Sequence, residues 1–249
     1  MPGERRTSTP LLEVIALGPA DATAAEEGGA DRLEVVADIA ADGLSPDPGT
    51  VARIRRATSL PLRVMLRAED GFLTSTGELD RLARLADHLR EAGATGFVFG
   101  FLGPDAEIDI GATTRLATCD AVADVSWTFH RAFDHALEAR HAWADVRDLP
   151  GLDALLTAGS ARGLAHGLDD VVVRAQDDSA FARVAMAGGG LRAEHVPWLV
   201  RAGIRRFHVG SGARPQGSWK AYADAGFVRS WRRLVDDAVA RLGSDPDRA

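Results

Sequence analysis

The sequence predicts an α/β protein, a single-domain (β/α)8 TIM barrel, and three observations favour this class. Short apolar runs rich in β-forming residues recur about every 30 residues, as expected for parallel strands that are buried on both faces. Amphipathic segments with helical spacing separate these runs. Eight such units fit into a chain of 249 residues, which is the size of one barrel domain.

The predicted elements follow one another along the chain. The strands are expected at residues 11–17, 32–36, 62–66, 96–102, 125–129, 154–158, 183–187 and 206–209. Helical spacing is clear at residues 21–30, 48–58 and 76–94. The sixth unit is the least regular, because Gly163 and Gly167 are expected to interrupt its helix. An open, doubly wound sheet is the alternative, but it favours fewer units and an early Gly-x-Gly-x-x-Gly motif, which this sequence lacks.

The barrel is expected to span residues 11–242, after a disordered segment at 1–10 and before a frayed tail at 243–249. A net charge of −7 argues against nucleic acid or an anionic membrane as a partner. The N-terminus lacks the apolar segment of a signal peptide, and no run approaches the roughly 18 residues of a membrane span. Cys119 is the single cysteine and cannot form an internal disulfide, so a cytoplasmic location is expected.

Lys220 is the only lysine among the 29 basic residues. Arginine does not form Schiff bases, and Lys220 lies in a late polar stretch rather than at a strand end. The sequence therefore argues against an aldolase that acts through a lysine.

Polar side chains occur where the predicted strands end, which is where the active sites of such barrels lie. Glu13 and Glu34 lie within the first two strands, and a buried carboxylate needs a partner. The other polar residues of this kind are Arg67, His130, Arg131, Thr157 and His208. Side chains alternate along a strand, so one of His130 and Arg131 is expected to face the barrel mouth while the other anchors the loop. The alternative is a structural network in which the two glutamates neutralise the two arginines.

Two glycine-rich turns, residues 186–190 and 209–214, follow the seventh and eighth strands. In many barrels this pair of turns binds an anion through backbone N–H groups, and glycine allows the close approach. The predicted anion ligands are Gly188, Gly189, Gly190 and Ser211. The alternative is that both are ordinary strand–helix turns.

Several segments together resemble the CutC family of proteins, which are named for copper homeostasis. They include AAEEGGADRLEVV, DGLSPDPG, TFHRAFD, LLTAG and FHVGSGAR, and they run in register from about residue 11 to residue 240. The resemblance implies a TIM barrel, a cytoplasmic protein and copper binding. By position, it implies functional roles for Glu13, Glu34, Arg67, His130, Arg131, Asp134, Thr157 and His208.

The chain departs from the family pattern at four places. Ile15 and Val36 stand where relatives carry cysteine, which argues against copper(I) binding because copper(I) prefers soft sulfur ligands. The Arg-Pro-Arg of the family after the third strand reads Arg-Ala-Glu at 67–69, and Gly210 replaces a serine.

Two hypotheses follow from the residues and the resemblance. The first is copper binding and copper homeostasis, as the family name implies. The second is a barrel enzyme or binder for a small anionic metabolite, a class that includes phosphorylated compounds, held by Arg67, Arg131 and the glycine turns. In the second, His130 or Glu34 acts as general acid or base and Asp134 orients His130 or Arg131. Residues that ligate a metal are not identified, and the tryptophans that could pack in the core or in a homo-oligomer interface are Trp143, Trp198, Trp219 and Trp231.

Overall fold

The computed structural model describes residues 9–243 of the chain. Eight parallel strands, β1 to β8, pair in sequence order, and β8 returns to pair with β1, so the sheet closes into a barrel. This confirms the predicted (β/α)8 class. Apart from residues 9, 10 and 243, the segments predicted to be disordered or frayed lie outside the described residues.

The strands are short and lie close to their predicted positions. They are β1 (Leu11–Ala16), β2 (Arg32–Val35), β3 (Leu62–Met65), β4 (Gly96–Phe99), β5 (Trp127–Phe129), β6 (Leu152–Thr157), β7 (Ala185–Ala187) and β8 (Arg206–Val209). The helices that surround them are α1 (Pro19–Gly28), α2 (Pro48–Ala57), α3 (Thr76–Glu91), α4 (Ile110–Ala117), α5 (Asp120–Ala123), α6 (Ala139–Val146), α7 (Leu164–Asp177), α8 (Ser179–Val184), α9 (Val196–Arg201) and α10 (Ala225–Gly243). None of the helices within the described residues combines the length and the apolar character that crossing a membrane requires.

Local sequence explains where several helices begin. The side chains of Asp47, Ser75 and Asp109 accept hydrogen bonds from the backbone N–H three residues on, which satisfies free donors at the starts of α2, α3 and α4. Apolar residues then recur on the side that faces the barrel, such as Leu79, Leu82 and Leu89 in α3. These buried stripes hold the helices against the strands.

The interior of the barrel carries polar side chains in its lower part, towards the N-terminal ends of the strands. Arg63 of β3 reaches Asp153 of β6 at 2.6 Å, and Arg206 of β8 donates to the Asp153 carbonyl. These strands are not neighbours, so such contacts can form only through the inside of the barrel. Because side chains alternate along a strand, every second residue above this layer also points into the barrel.

The sixth unit differs from its prediction, because α7 starts directly after Gly163 and runs through Gly167 without a break. Gly163, at φ 92°, occupies the position before the helix. Gly167 is needed for close packing, because a Cβ at this position would lie 2.2 Å from the carbonyl oxygen of Ala158. The glycine thus marks a contact between helix and loop rather than a helix end.

Gly167→Ala is therefore expected to destabilise the fold by about 1–3 kcal/mol, the usual range for overpacking. The measurement is the midpoint of urea denaturation. Gly111→Ala in the exposed part of α4 is the matched control, because a Cβ there meets only ordinary contact at 3.5 Å. The control should leave stability unchanged or raise it by up to about 1 kcal/mol. Equal midpoints for the two variants would contradict the packing role.

Candidate functional site

A cavity of about 280 Å³ lies at the C-terminal mouth of the barrel. This volume suits a small metabolite. The predicted site residues that line it are Glu34, Arg67, His130, Arg131, Gly189, Gly190, His208 and Ser211. Glu13 lies directly beneath, in contact with His208, whereas Gly188, Asp134 and Thr157 are not part of the wall.

The floor of the cavity is a buried chain of charged groups. Glu13 accepts from Arg32 Nε through Oε2 at 2.5 Å and contacts His208 Nδ1 through Oε1 at 2.8 Å. His208 Nε2 lies 3.7 Å from Glu34 Oε2. The second oxygen of Glu34, Oε1, is buried without a hydrogen-bond partner in the described structure. Neither glutamate pairs with Arg67 or Arg131 within residues 9–243, so the alternative in which they neutralise these two arginines is wrong.

The surroundings separate the pKa values of the two glutamates. Burial raises the pKa of Glu13, but the charges and hydrogen bonds of Arg32 and His208 outweigh it and leave the value at about 2. Burial raises the pKa of Glu34 to about 7, and the Glu13 charge adds to this rise against the opposing effect of His208. Burial lowers the pKa of His208, but Glu34 and Glu13 together raise it overall. A carboxylate whose pKa is held low therefore lies behind two groups, Glu34 and His208, whose pKa values are both raised.

Glu13, Glu34 and His208 place one donor atom each within 4.8 Å of one another, the kind of grouping that can hold a cation. Both oxygens of Glu13 are already engaged, and the guanidinium of Arg32 brings a positive charge to the same carboxylate. Only Glu34 and His208 Nε2 are left to face an ion. This donor set does not fit copper(I), which takes soft sulfur ligands.

The sulfur atoms of the described residues are dispersed. Cys119 precedes α5, before the start of β5 and away from the mouth. Met186 accepts from Arg32 Nη2 at 3.6 Å inside the barrel. Met65 alone among the described sulfur-containing residues lines the cavity, where it packs with Ile15 and Val36.

His130 faces the cavity from the end of β5, and a 3-10 helix, Arg131–His135, follows it. Its Nδ1 accepts from the backbone N–H of Ala132 at 3.2 Å. The ring of Phe72 packs edge-on against the imidazole at 5.4 Å. Burial, with the nearby Arg67 charge, lowers the pKa of His130 to about 3. His130 is therefore a neutral imidazole at physiological pH, with its proton on Nε2.

Arg67 uses most of its donors to hold two loops together. Its Nε donates to Gly71 O at 3.0 Å, and Nη1 donates to the carbonyls of Ala41 and Gly43 at 2.6 and 3.1 Å. Nη2 pairs with Asp70 at 3.2 Å. The sequence predicts Arg67 as a ligand for an anion. In the structure its guanidinium instead joins the loops that form one wall of the cavity.

Arg131 is similarly committed, and it anchors the loop that follows β6. Its Nη2 donates to the carbonyls of Ser160 and Ala161 at 3.2 and 3.0 Å, and its Nε pairs with Asp134 at 3.0 Å. The guanidinium lies against Gly189, where an added Cβ would be 2.8 Å from Nε. Nη1 has no acceptor among the described residues, so one edge of this guanidinium is left for a ligand.

Asp134 is fully buried and has four partners. It accepts from Thr157 Oγ1 at 2.5 Å and from the backbone N–H groups of Ala158 and Gly159, in addition to Arg131. Asp134 therefore orients Arg131, one of its two predicted roles, and it does not touch His130. Thr157 belongs to the same network rather than to the cavity wall.

The glycine turn after β7 divides into two parts. The N–H of Gly188 continues the sheet by donating to Thr157 O at 3.1 Å. A Cβ at this position would lie 2.6 Å from Leu156 Cδ1, so Gly188 serves packing. Gly189 and Gly190 have positive φ angles of 68° and 88°, which L side chains rarely adopt.

The two turns together present free backbone donors to the cavity. Within the described part of the chain, the N–H groups of Gly189, Gly190, Ser211 and Gly212 have no hydrogen-bond acceptor. All four residues line the cavity. Unpaired backbone N–H groups in a cavity wall are a usual means of holding a phosphate or carboxylate.

Several residues of the site are not predicted by the sequence analysis. Arg32, Phe72 and His135 lie in or beneath the cavity, and Trp219 forms part of its wall. Arg214, which follows the β8 turn, lies 4.7 Å from the centre of the Trp219 ring. An arginine at the start of a buried strand is the signal that could have identified Arg32.

The four tryptophans have different environments. Trp143 is buried and donates to Asp178 at 2.8 Å, and Trp231 donates to the carbonyl of Gly212 at 3.0 Å. Trp198 is 56% exposed. A homo-oligomer interface stays a prediction.

Comparison with known proteins places this barrel in a family. A statistical model of the CutC family matches residues 11–213. A protein of Klebsiella pneumoniae strain 342, named as a family protein CutC, is 34% identical over 206 residues, which are 81% of this chain and 80% of the relative. A protein of Citrobacter koseri with the same name is 30% identical over 229 residues, 91% of this chain and 90% of the relative.

A solved structure, the copper homeostasis protein CutC from Streptococcus agalactiae, shares the fold with a TM-score of 0.71. It is 23% identical and the match covers 81% of this chain and 98% of that one. As its motifs predict, the chain belongs to the CutC family.

Proposed function

We propose that this protein is an acid–base enzyme that acts on a small anionic metabolite in the mouth of its barrel. The observation that carries the proposal is the buried chain Glu13–His208–Glu34 at the floor of the cavity. Glu34 lines the cavity and its Oε1 is buried without a hydrogen-bond partner among the described residues, so a ligand in the cavity can supply the partner that this oxygen lacks. An unsatisfied buried carboxyl costs about 1–3 kcal/mol, which a folded protein retains where the group meets a ligand.

The proton chemistry follows from the geometry. Glu13 accepts from Nδ1 of His208, which fixes the tautomer and leaves Nε2 towards Glu34. His208 then acts on Glu34 as a neighbouring charge, because the two atoms are 3.7 Å apart and form no hydrogen bond. A general base is most effective when its pKa is close to the working pH, and the pKa of Glu34 is about 7.

The anionic character of the ligand rests on the donors that line the cavity. The turn N–H groups of Gly189, Gly190, Ser211 and Gly212 are free, and Arg131 keeps Nη1. Donors of this kind bind phosphate or carboxylate groups strongly when water is excluded. The single cysteine, Cys119, is consistent with a reducing compartment, so the proposal includes the cytoplasm as the place of the reaction.

Copper handling is the second candidate, and the name of the Streptococcus agalactiae protein favours it. In this chain copper would be cargo rather than a catalytic group. Met65 and the neutral imidazole of His130 both line the cavity, and they are the soft and borderline donors that the described wall offers. Neither donor is a thiolate, the soft ligand that holds copper(I) most tightly, and the described cysteine does not line the cavity.

The titration of Glu34 is the sharpest test of the proposed enzyme. In protein with 13C-labelled glutamate side chains, one carboxyl signal should titrate near pH 7 and be absent from Glu34→Gln. A folded-state pKa above 4.5 gives stability that is present below pH 4.5 and lost as pH rises through 7. Glu34→Gln should therefore gain stability relative to the wild type above pH 7, by up to about 3 kcal/mol. Titration of Glu34 near pH 4.5 would overturn the proposal.

Copper(I) affinity separates the two candidates. The metal-free protein is titrated anaerobically with copper(I) against a chromogenic chelator, and Met65→Leu is the matched variant. We expect no stoichiometric binding beyond micromolar affinity. A tight one-to-one complex that Met65→Leu weakens would establish copper handling at this cavity instead.

A further inference from the structure

Resting on the proposed function, we infer that the reaction is an enolisation in which the Nε2–H of His130 polarises a substrate carbonyl while Glu34 removes a proton from the adjacent carbon. The substrate class is a small α-hydroxycarbonyl compound that carries a phosphate or carboxylate group. The inference goes beyond acid–base chemistry in general because it assigns His130 a role as a neutral hydrogen-bond donor.

The backbone fixes the tautomer of His130. The N–H of Ala132 donates to Nδ1 at 3.2 Å, so Nδ1 cannot carry a proton without losing this bond. A neutral imidazole must then carry its proton on Nε2. No described residue accepts from Nε2, and the side chain lines the cavity. The donor is therefore available to a ligand.

The charges around His130 keep it neutral. Arg67, Arg131 and His135 are the neighbouring titratable or charged groups that act on it, and all of them oppose a second proton. The ring is 4% exposed and packs against Phe72 and Phe129. Burial and these charges lower its pKa to about 3, which supports a donor that stays neutral across the physiological range.

A neutral donor suits a carbonyl better than an imidazolium does. It can stabilise the developing oxyanion through a hydrogen bond without passing on its proton, so the charge stays on the oxygen. Glu34 comes from β2 and His130 from the end of β5, so the two groups approach a bound molecule from different sides of the barrel. The pairing of a carboxylate base with a neutral imidazole that polarises the carbonyl is an established arrangement for enolisation.

The step balances without a further reactant. Glu34 takes the proton from the α-carbon, the C–H electron pair forms the C=C bond, and the carbonyl π pair moves to the oxygen beside His130. Return of the proton to the neighbouring carbon completes an isomerisation, in which the hydroxyl proton of the substrate passes to the first oxygen within the enediolate and the second oxygen becomes the new carbonyl.

The first experiment reads the state of His130 directly in the wild-type protein. 15N NMR of labelled histidine should show one imidazole with its proton on Nε2 and no titration between pH 5 and pH 9, a signal that His130→Asn lacks. A midpoint between pH 5 and pH 8, or a proton on Nδ1, would overturn the inference. Neither result bears on Glu34, so the proposed function is judged separately by the carboxyl titration.

The second experiment tests the substrate class by calorimetry. Phosphoglycolohydroxamate mimics an enediolate, and ethyl phosphate is the matched ligand that keeps the phosphate but lacks the pair of oxygens that would accept from His130. The wild type should bind the hydroxamate at least about 100-fold more tightly, as expected for a mimic of a reaction intermediate. His130→Asn, with its folding checked by circular dichroism, should bind the two ligands with nearly equal affinity. Equal binding of the two ligands by the wild type, or binding of neither, would contradict the assigned class.

Discussion

Glu13→Gln is expected to lower the free energy of unfolding by about 3–5 kcal/mol, because it leaves the buried guanidinium of Arg32 without its closest counter-ion. Arg32 is 6% exposed and cannot move into water without opening the barrel. The new amide also places an N–H donor beside Arg32 or His208, both of which are donors themselves. Chemical denaturation at pH 7 measures the loss.

The control for Glu13→Gln is Glu91→Gln, the same chemical change at an exposed position at the end of α3. Surface substitutions of this kind usually change stability by less than about 0.5 kcal/mol. A loss in Glu13→Gln no larger than in the control would show that Glu13 and Arg32 do not stabilise the fold as a pair.

The contribution of Glu13 to the free energy of unfolding should also decrease as the pH falls. Its pKa is about 2 in the folded protein against an ordinary value of 4.5, so its contribution is present above pH 4.5 and is lost as pH falls towards 2. This contribution amounts to about 3 kcal/mol. The difference in stability between wild type and Glu13→Gln should therefore shrink as pH falls below 4.5. A difference that stays constant down to pH 2.5 would contradict the depressed pKa.

Arg214→Met is expected to cost about 3–5 kcal/mol of unfolding free energy, because it leaves the carboxylate of Asp21 buried and uncompensated. Arg214 and Asp21 form two parallel hydrogen bonds at 3.0 and 2.9 Å, with both side chains 1% exposed. Arg214 also donates to the carbonyls of Ile15 and Ala221. One side chain thus joins β1, the start of α1 and the loop that precedes α10. Urea denaturation measures the cost.

Arg115→Met provides the comparison, because Arg115 pairs with Asp80 at 2.6 Å while both side chains are about half exposed. An exposed pair of this kind contributes at most about 1 kcal/mol. Arg214→Lys should fall between wild type and Arg214→Met, since lysine keeps the charge but cannot form the bidentate contact. If Arg214→Met lost no more stability than Arg115→Met, the Arg214–Asp21 pair would not stabilise this part of the barrel.

The sequence predicted the barrel and the inward-facing residues well, because both depend on patterns that repeat over short stretches of the chain. Eight apolar runs separated by amphipathic helices fit one closed parallel sheet. Alternation along a strand places Glu13 in line with Ile15, and His208 beside Glu13 on the neighbouring strand. The cavity wall accordingly includes Glu34, His130 and His208. The predicted interruption of the sixth helix at Gly167 was wrong, because a glycine can mark either a helix end or a close contact.

Only the tertiary structure decided which hydrogen-bond partners the long polar side chains have. Arg67 and Arg131 donate to loop carbonyls. The sequence alone does not predict these contacts, because the loops have no periodic pattern. The partner of Arg214 lies 193 residues away in the chain. Local periodicity determines which way a strand residue points, but the hydrogen-bond partners of a long side chain depend on where distant loops meet. The sequence therefore determined the barrel and the residues at its mouth, and the folded chain determined which of them remain free to meet a ligand.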